Sequence, residues 1–77
     1  GGNVPTPRTI FLAGVIAYVR EYGFTKLAHL VRQVPIPKDM THSKAMGHIK
    51  AAKLPEDLQL IDQGAVYYLD RVEVQQE

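Results

Sequence analysis

The chain has 77 residues, 45% of them hydrophobic and 22% charged, with a formal net charge of +1 and no cysteine. That length holds one hydrophobic core and no more, the composition is that of a globular rather than a disordered chain, and without a thiol neither a disulfide framework nor a thiolate zinc site can form. The longest apolar run, Ile10 to Tyr18 interrupted by Gly14, falls short of the roughly 20 residues that span a bilayer and lacks the basic flank and cleavage pattern of a signal peptide.

In the absence of cysteine, a reducing compartment suits the chain at least as well as an oxidising one. Its opening Gly1-Gly2-Asn3, without methionine, reads as an expression scar or the cut end of a longer protein, and residues 1–5 are expected to be a disordered or added leader. Thr6-Pro7 then has the form of an N-cap followed by proline at the first helical position, where its missing amide costs nothing. Phe11, Val15, Tyr18, Val19 and Tyr22 recur at three- and four-residue spacing, with Leu12 and Ile16 beside them, which predicts a helix over 7–22 closed by Gly23.

After Phe24, Thr25 offers a second N-cap, and Leu27, Leu30 and Val31 form the buried stripe of a short helix over 25–32. Val34-Pro35-Ile36-Pro37 cannot continue it, because each proline lacks an amide and biases its predecessor toward extended geometry. A third helix over 42–53, capped by Thr41 or Ser43, carries Ala45, Met46 and Ile49 on its apolar side, and Pro55 marks its end. The period then changes to short apolar and β-branched runs, Leu58 to Ile61 and Ala65 to Leu69, around Asp62-Gln63-Gly64. A three-residue connection with glycine last predicts a hairpin closed by a type I turn and a left-handed residue. The strand pattern extends through Val72 and Val74, leaving 75–77 as a frayed tail.

These elements make a single domain over 6–74, mainly α with a C-terminal β-hairpin. Its expected core is Phe11, Val15, Val19, Leu27, Leu30, Met46, Ile49, Leu60 and Leu69.

The order α-α-α-β-β resembles that of the winged helix-turn-helix superfamily. The resemblance is carried by the capped helix Pro7 to Tyr22, the short helix after Phe24-Thr25, the third helix Ser43 to Lys53 and the hairpin around Asp62-Gln63-Gly64. It is one of element order rather than sequence signature, and it covers Thr6 to Val74. The Val34 to Met40 connection departs from it, being longer than a three- or four-residue helix-turn-helix turn. The resemblance implies a binding module whose third helix enters the major groove of duplex DNA.

Charge is distributed in a way that fits this implication. Up to Lys53, eight basic residues face only Glu21 and Asp39, a balance of +6; from Leu54 onward Arg71 faces six acids, a balance of −5. A basic helical portion attracts phosphate, whereas an acidic hairpin is repelled by it. Lys44 and His48 are expected nearest the bases, with Ser43 on the same helix and Gly47 permitting close approach. Lys26, Arg32, Lys50 and Lys53 are assigned to phosphates. The competing view takes these as ordinary solvated faces, with Gly47 admitting a neighbouring helix.

No pair among His29, His42 and His48 has the spacing of a helical metal chelate, and His42-Ser43 lacks the third orienting group of a catalytic set. No metal, cofactor, small-molecule substrate, membrane partner or enzymatic activity is expected. Phe11, Tyr18, Tyr22 and Phe24 are placed at core-facing or boundary positions. Tyr67 and Tyr68, adjacent on a strand, point to opposite faces, so one of them is expected to be exposed. The alternative function is therefore a protein-interaction domain using Tyr67, Tyr68 and Asp70 of the hairpin. Either way the expected setting is cytoplasmic or nuclear, and nucleoid-associated in a prokaryote.

Overall fold

A computed structural model describes residues 4–73. Most of the expected leader, the strand end at Val74 and the expected tail at 75–77 lie outside the described residues. Three helices pack on a three-stranded antiparallel sheet in the chain order α1 (Pro7–Tyr22), β1 (Thr25–Lys26), α2 (Leu27–Gln33), α3 (His42–Ala51), β2 (Leu58–Gln63) and β3 (Val66–Arg71).

Helix α1 begins as its sequence dictates. Thr6 is extended, and its Oγ1 accepts a hydrogen bond from the Thr9 amide at 3.2 Å, satisfying one of the orphan donors of the first turn. Gly23 ends the helix with φ 81°, its N–H donating to Val19 O at 2.7 Å. Midway along, Gly14 lets α1 approach the end of α2 so closely that a Cβ there would lie 2.9 Å from Cγ1 of Val34. Val34 is buried and β-branched, so it has little room to yield. Gly14→Ala should therefore lower stability by up to about 2 kcal/mol, because overpacking of about 1–3 kcal/mol is offset by a helix-propensity gain of only about 1 kcal/mol. The midpoint of urea unfolding measures the balance, and a rise would mean that Val34 moves freely.

Strand β1 was not expected. Thr25 does not cap α2; its hydroxyl turns back to donate to Gly23 O at 2.8 Å, and its backbone joins β3 in the register Thr25↔Leu69, Lys26↔Tyr68. Helix α2 consequently starts at Leu27 with no side-chain cap. Helix α3 is capped by Thr41, whose Oγ1 accepts from the Lys44 amide at 3.1 Å. It stops two residues earlier than the sequence predicts, because Ala52 turns extended (ψ 143°) as its N–H tightens onto Ile49 O at 3.2 Å.

The hairpin also differs from its expected form. Pairing runs out to Gln63↔Val66, so the loop is Gly64-Ala65 rather than Asp62-Gln63-Gly64, with φ 60° and 72°. Two consecutive left-handed residues match the right-handed twist of the flanking strands. Asp62 stabilises the turn by accepting from the Ala65 amide at 3.3 Å, which offsets part of the cost of a left-handed alanine. With β3 central, the sheet order is β1-β3-β2.

The core collects Phe11, Val15 and Val19 of α1, Leu27, Leu30 and Val31 of α2 with Val34 just after it, Ala45 and Ile49 of α3, and Leu58 and Leu69 of the sheet. Met46 and Leu60, expected inside, are only half-buried. Met46 sits on the shoulder of α3 toward the hairpin turn, and burial along β2 falls from Leu58 toward its turn end.

At the opposite end, Arg20 of α1 grips Asp57 before β2, Nε to Oδ2 at 2.8 Å and Nη2 to Oδ1 at 3.0 Å. The hydrogen bonds, more than the Coulomb attraction, hold the Asp57 carboxyl below its ordinary range. Arg71 Nη1 donates to Arg20 O at 3.3 Å, placing a second guanidinium near the C-terminal end of the α1 dipole. Because the folded-state pKa of Asp57 is depressed, the bridge contributes in full above the unfolded value near 4 and its contribution fades as pH falls through the folded one. Asp57→Asn should thus lower stability at pH 7 and converge on the wild type in strong acid; a pH-independent gap would assign the effect to packing.

Candidate nucleic-acid interface

The outer face of α3 follows from its packing. Ala45 and Ile49 are buried, so helical spacing puts Ser43, Gly47 and Lys50 on the opposite side with Lys44 and Ala51 next to them. All five are exposed. His48 is not; it is half-buried on the flank toward α1, which corrects the expected Lys44–His48 stripe. The first turns of α1 cover that flank, a placement that the period of α3 alone cannot reveal.

Gly47 is the informative residue. A Cβ built on it meets nothing within 4 Å, so the glycine does not admit another helix of this chain. In an exposed helix interior glycine costs roughly 1 kcal/mol relative to alanine, and no contact among the described residues accounts for it.

Three grooves border α3. Lys26 and Lys50 line one of about 250 Å³, with Met46 between them and Ala65 of the hairpin turn beyond. Lys50 is held over the ring of Tyr67, Nζ 4.4 Å from the centroid, an interaction worth about 0.5–1 kcal/mol at an exposed site. Lys44 and His48 line a second groove, of about 490 Å³, with Pro7, Lys38, Asp39 and Met40. His48 and Lys53 share a third, of about 370 Å³, with Arg8, Leu12, Ile16 and Ala51. Among the described residues Asp39 is the one carboxylate lining any of the three. Arg32 is exposed on α2 and lines none of them.

The site thus brings together Lys26, Ser43, Lys44, Gly47, His48, Lys50 and Lys53, adds Arg8 and Lys38, and leaves Arg32 apart. The charge balance of the N-terminal portion counted Arg8 and Lys38, but no spacing ties the first turn of α1 to α3.

Three aspartates are engaged elsewhere. Asp57 binds Arg20, Asp62 closes the turn, and Asp70 accepts from the Arg71 amide at 2.7 Å. Neither hairpin tyrosine is fully exposed: Tyr67 lies beneath Lys50, and Tyr68 stacks against Phe24 at 4.6 Å and 14°. The exposed aromatics are Tyr22 and Phe24, 67% and 52% accessible, where core-facing or boundary positions were expected. The left-handed Gly23 between them turns the chain out of α1 and carries Phe24 over the outer side of the sheet. Tyr18 is half-buried, its ring 4.5 Å from that of Tyr22 and its hydroxyl 3.2 Å from His29 Nε2.

Among the described residues no three metal-ligating side chains come together, and no helix is long and apolar enough to cross a membrane. No protein-family model, curated protein or solved structure matches the chain.

Proposed function

We propose that this domain is a winged-helix module that binds duplex DNA, with the outer face of α3 in the major groove and the neighbouring lysines on the phosphates. The element order, with a short strand between the first two helices and a hairpin after the third, supports the winged-helix reading. The observation that carries the function is the open glycine on α3. Gly47 spends helix stability on nothing inside the chain, on a face bounded by cations with almost no carboxylate. A backbone that must approach another macromolecule closely, and an anionic one, accounts for both features. Ser43 and Lys50 flank Gly47 as the groups nearest base edges; Lys26, Lys44 and Lys53 hold phosphates. Such a module does no chemistry of its own and works where DNA is found, in the cytoplasm or nucleus.

Two substitutions at one position test this. Gly47→Ala should raise stability by about 0.5–1 kcal/mol. Gly47→Leu should also fold normally, yet cut affinity for a random-sequence duplex at least tenfold in fluorescence anisotropy at fixed salt. Undiminished affinity in the leucine variant would remove α3 from the interface, and absence of duplex binding by the wild type would end the reading.

A further inference from the structure

The groove between α1 and the end of α3 differs from the other two in its floor. Arg8, Leu12 and Ile16 recur at four-residue spacing along one side of α1, and Ala51, Ala52 and Lys53 face them across a space of about 370 Å³. Leu12 and Ile16 are half-buried, so part of each side chain remains uncovered. The alanines, with Ala13 on α1, leave a depression where larger side chains would fill it. Among the described residues its lining holds two basic side chains, Arg8 and Lys53, together with His48, and no carboxylate.

An apolar floor under a cationic rim selects a particular chemistry. Inorganic phosphate would gain the rim and waste the floor, while a neutral hydrocarbon would do the reverse. A compact apolar body bearing one carboxylate uses both, and the volume falls in the range of small-molecule sites, roughly 300–1,000 Å³. The planar guanidinium of Arg8 suits two-point recognition of a carboxylate.

We infer that this groove binds an aryl or alkyl carboxylate, with its apolar body on Leu12, Ile16 and Ala51 and its carboxylate between Arg8 and Lys53. Lys53 also belongs to the duplex face, so the ligand and DNA exclude one another; this second statement rests on the proposed function, whereas the first does not. Occupancy removes a cation from the phosphates and adds a negative charge beside α3, and both effects lower duplex affinity.

The test uses 2-naphthoate as the probe. In an amide-resolved NMR titration of the free chain, signals of Leu12, Ala13, Ile16 and Ala51 should move together and saturate. Affinity should fall at least tenfold in Arg8→Gln/Lys53→Gln and equally in Ala13→Met, which fills the depression without altering charge. Phe24→Ser should leave it unchanged. Naphthalene-2-methanol, lacking the charge, should bind at least tenfold more weakly. Shifts centred on Phe24 and Tyr68, full affinity in the Arg8/Lys53 variant, or no shifts at millimolar probe would each overturn the site. Saturating naphthoate should lower duplex affinity at least fivefold. Binding without that loss overturns the exclusion, and a chain that binds naphthoate but no duplex retires the DNA reading while the groove stands.

Discussion

Replacing Ile49 by alanine is expected to cost about 2–5 kcal/mol of unfolding free energy. Ile49 is 1% exposed, within the one cluster that joins all three helices to the sheet. Truncation removes three carbons from within that cluster, and surrounding structure relaxes only partially into such a space. The loss combines the transfer free energy of the deleted groups with the cavity left behind. For 77 residues a total stability of about 4–12 kcal/mol is ordinary, so this one change removes a large share of it. Met46→Ala, three residues earlier and half-buried, should cost distinctly less. Urea denaturation of both variants reads the difference. Equal losses would mean that α3 is rotated about its axis relative to the arrangement described.

The second large effect concerns binding. Lys44→Glu with Lys50→Glu should reduce affinity for duplex DNA at least a hundredfold at low salt, because the lost charge-assisted hydrogen bonds, Lys44 to phosphate and Lys50 to a base edge, are each worth about 1.5–3 kcal/mol and each introduced carboxylate adds repulsion. The slope of log affinity against log salt should become shallower by about 0.9, for the one phosphate assigned to Lys44. Both side chains are exposed, so the fold should persist, apart from the small loss of the Lys50–Tyr67 interaction. Wild-type affinity and slope in this variant, with loss of binding to another protein on substitution of Tyr68 or Asp70, would transfer the function to the hairpin.

Much of the fold was legible because it is locally encoded. Thr6-Pro7 and Gly23 bound α1, Thr41 caps α3, and the spacing of Phe11, Val15 and Val19 identifies the buried face without knowledge of what covers it. Strand β1 was not legible, because two residues have no period and its partner lies more than forty positions away. The turn was expected too early and one residue too long, since Gly64-Ala65 works only if alanine accepts a positive φ, which its type does not announce. At the site, the lysines could be counted from the sequence, but their grouping depends on how α1 lies across α3. That packing half-buries His48, recruits Arg8 and isolates Arg32. The exposure of Phe24 hangs on Gly23: its composition suggests a helix stop, but the direction in which the chain leaves is set by the sheet it must reach.

Strand β1, short as it is, governs how the molecule comes apart. Thr25 and Lys26 meet Leu69 and Tyr68, so the sheet closes a loop that contains α2, α3 and β2. Detaching β3 releases β1 with it, and β1 leads directly into α2, which has no side-chain cap of its own. No half of the chain therefore holds a finished unit, and partial opening of the hairpin propagates into the helices instead of stopping at the turn. Loss of structure should be all-or-none, and assembly must await the meeting of two distant segments, an ordering cost that falls before most of the sheet's bonds are made. A nascent chain completes this sheet only when β3 has arrived.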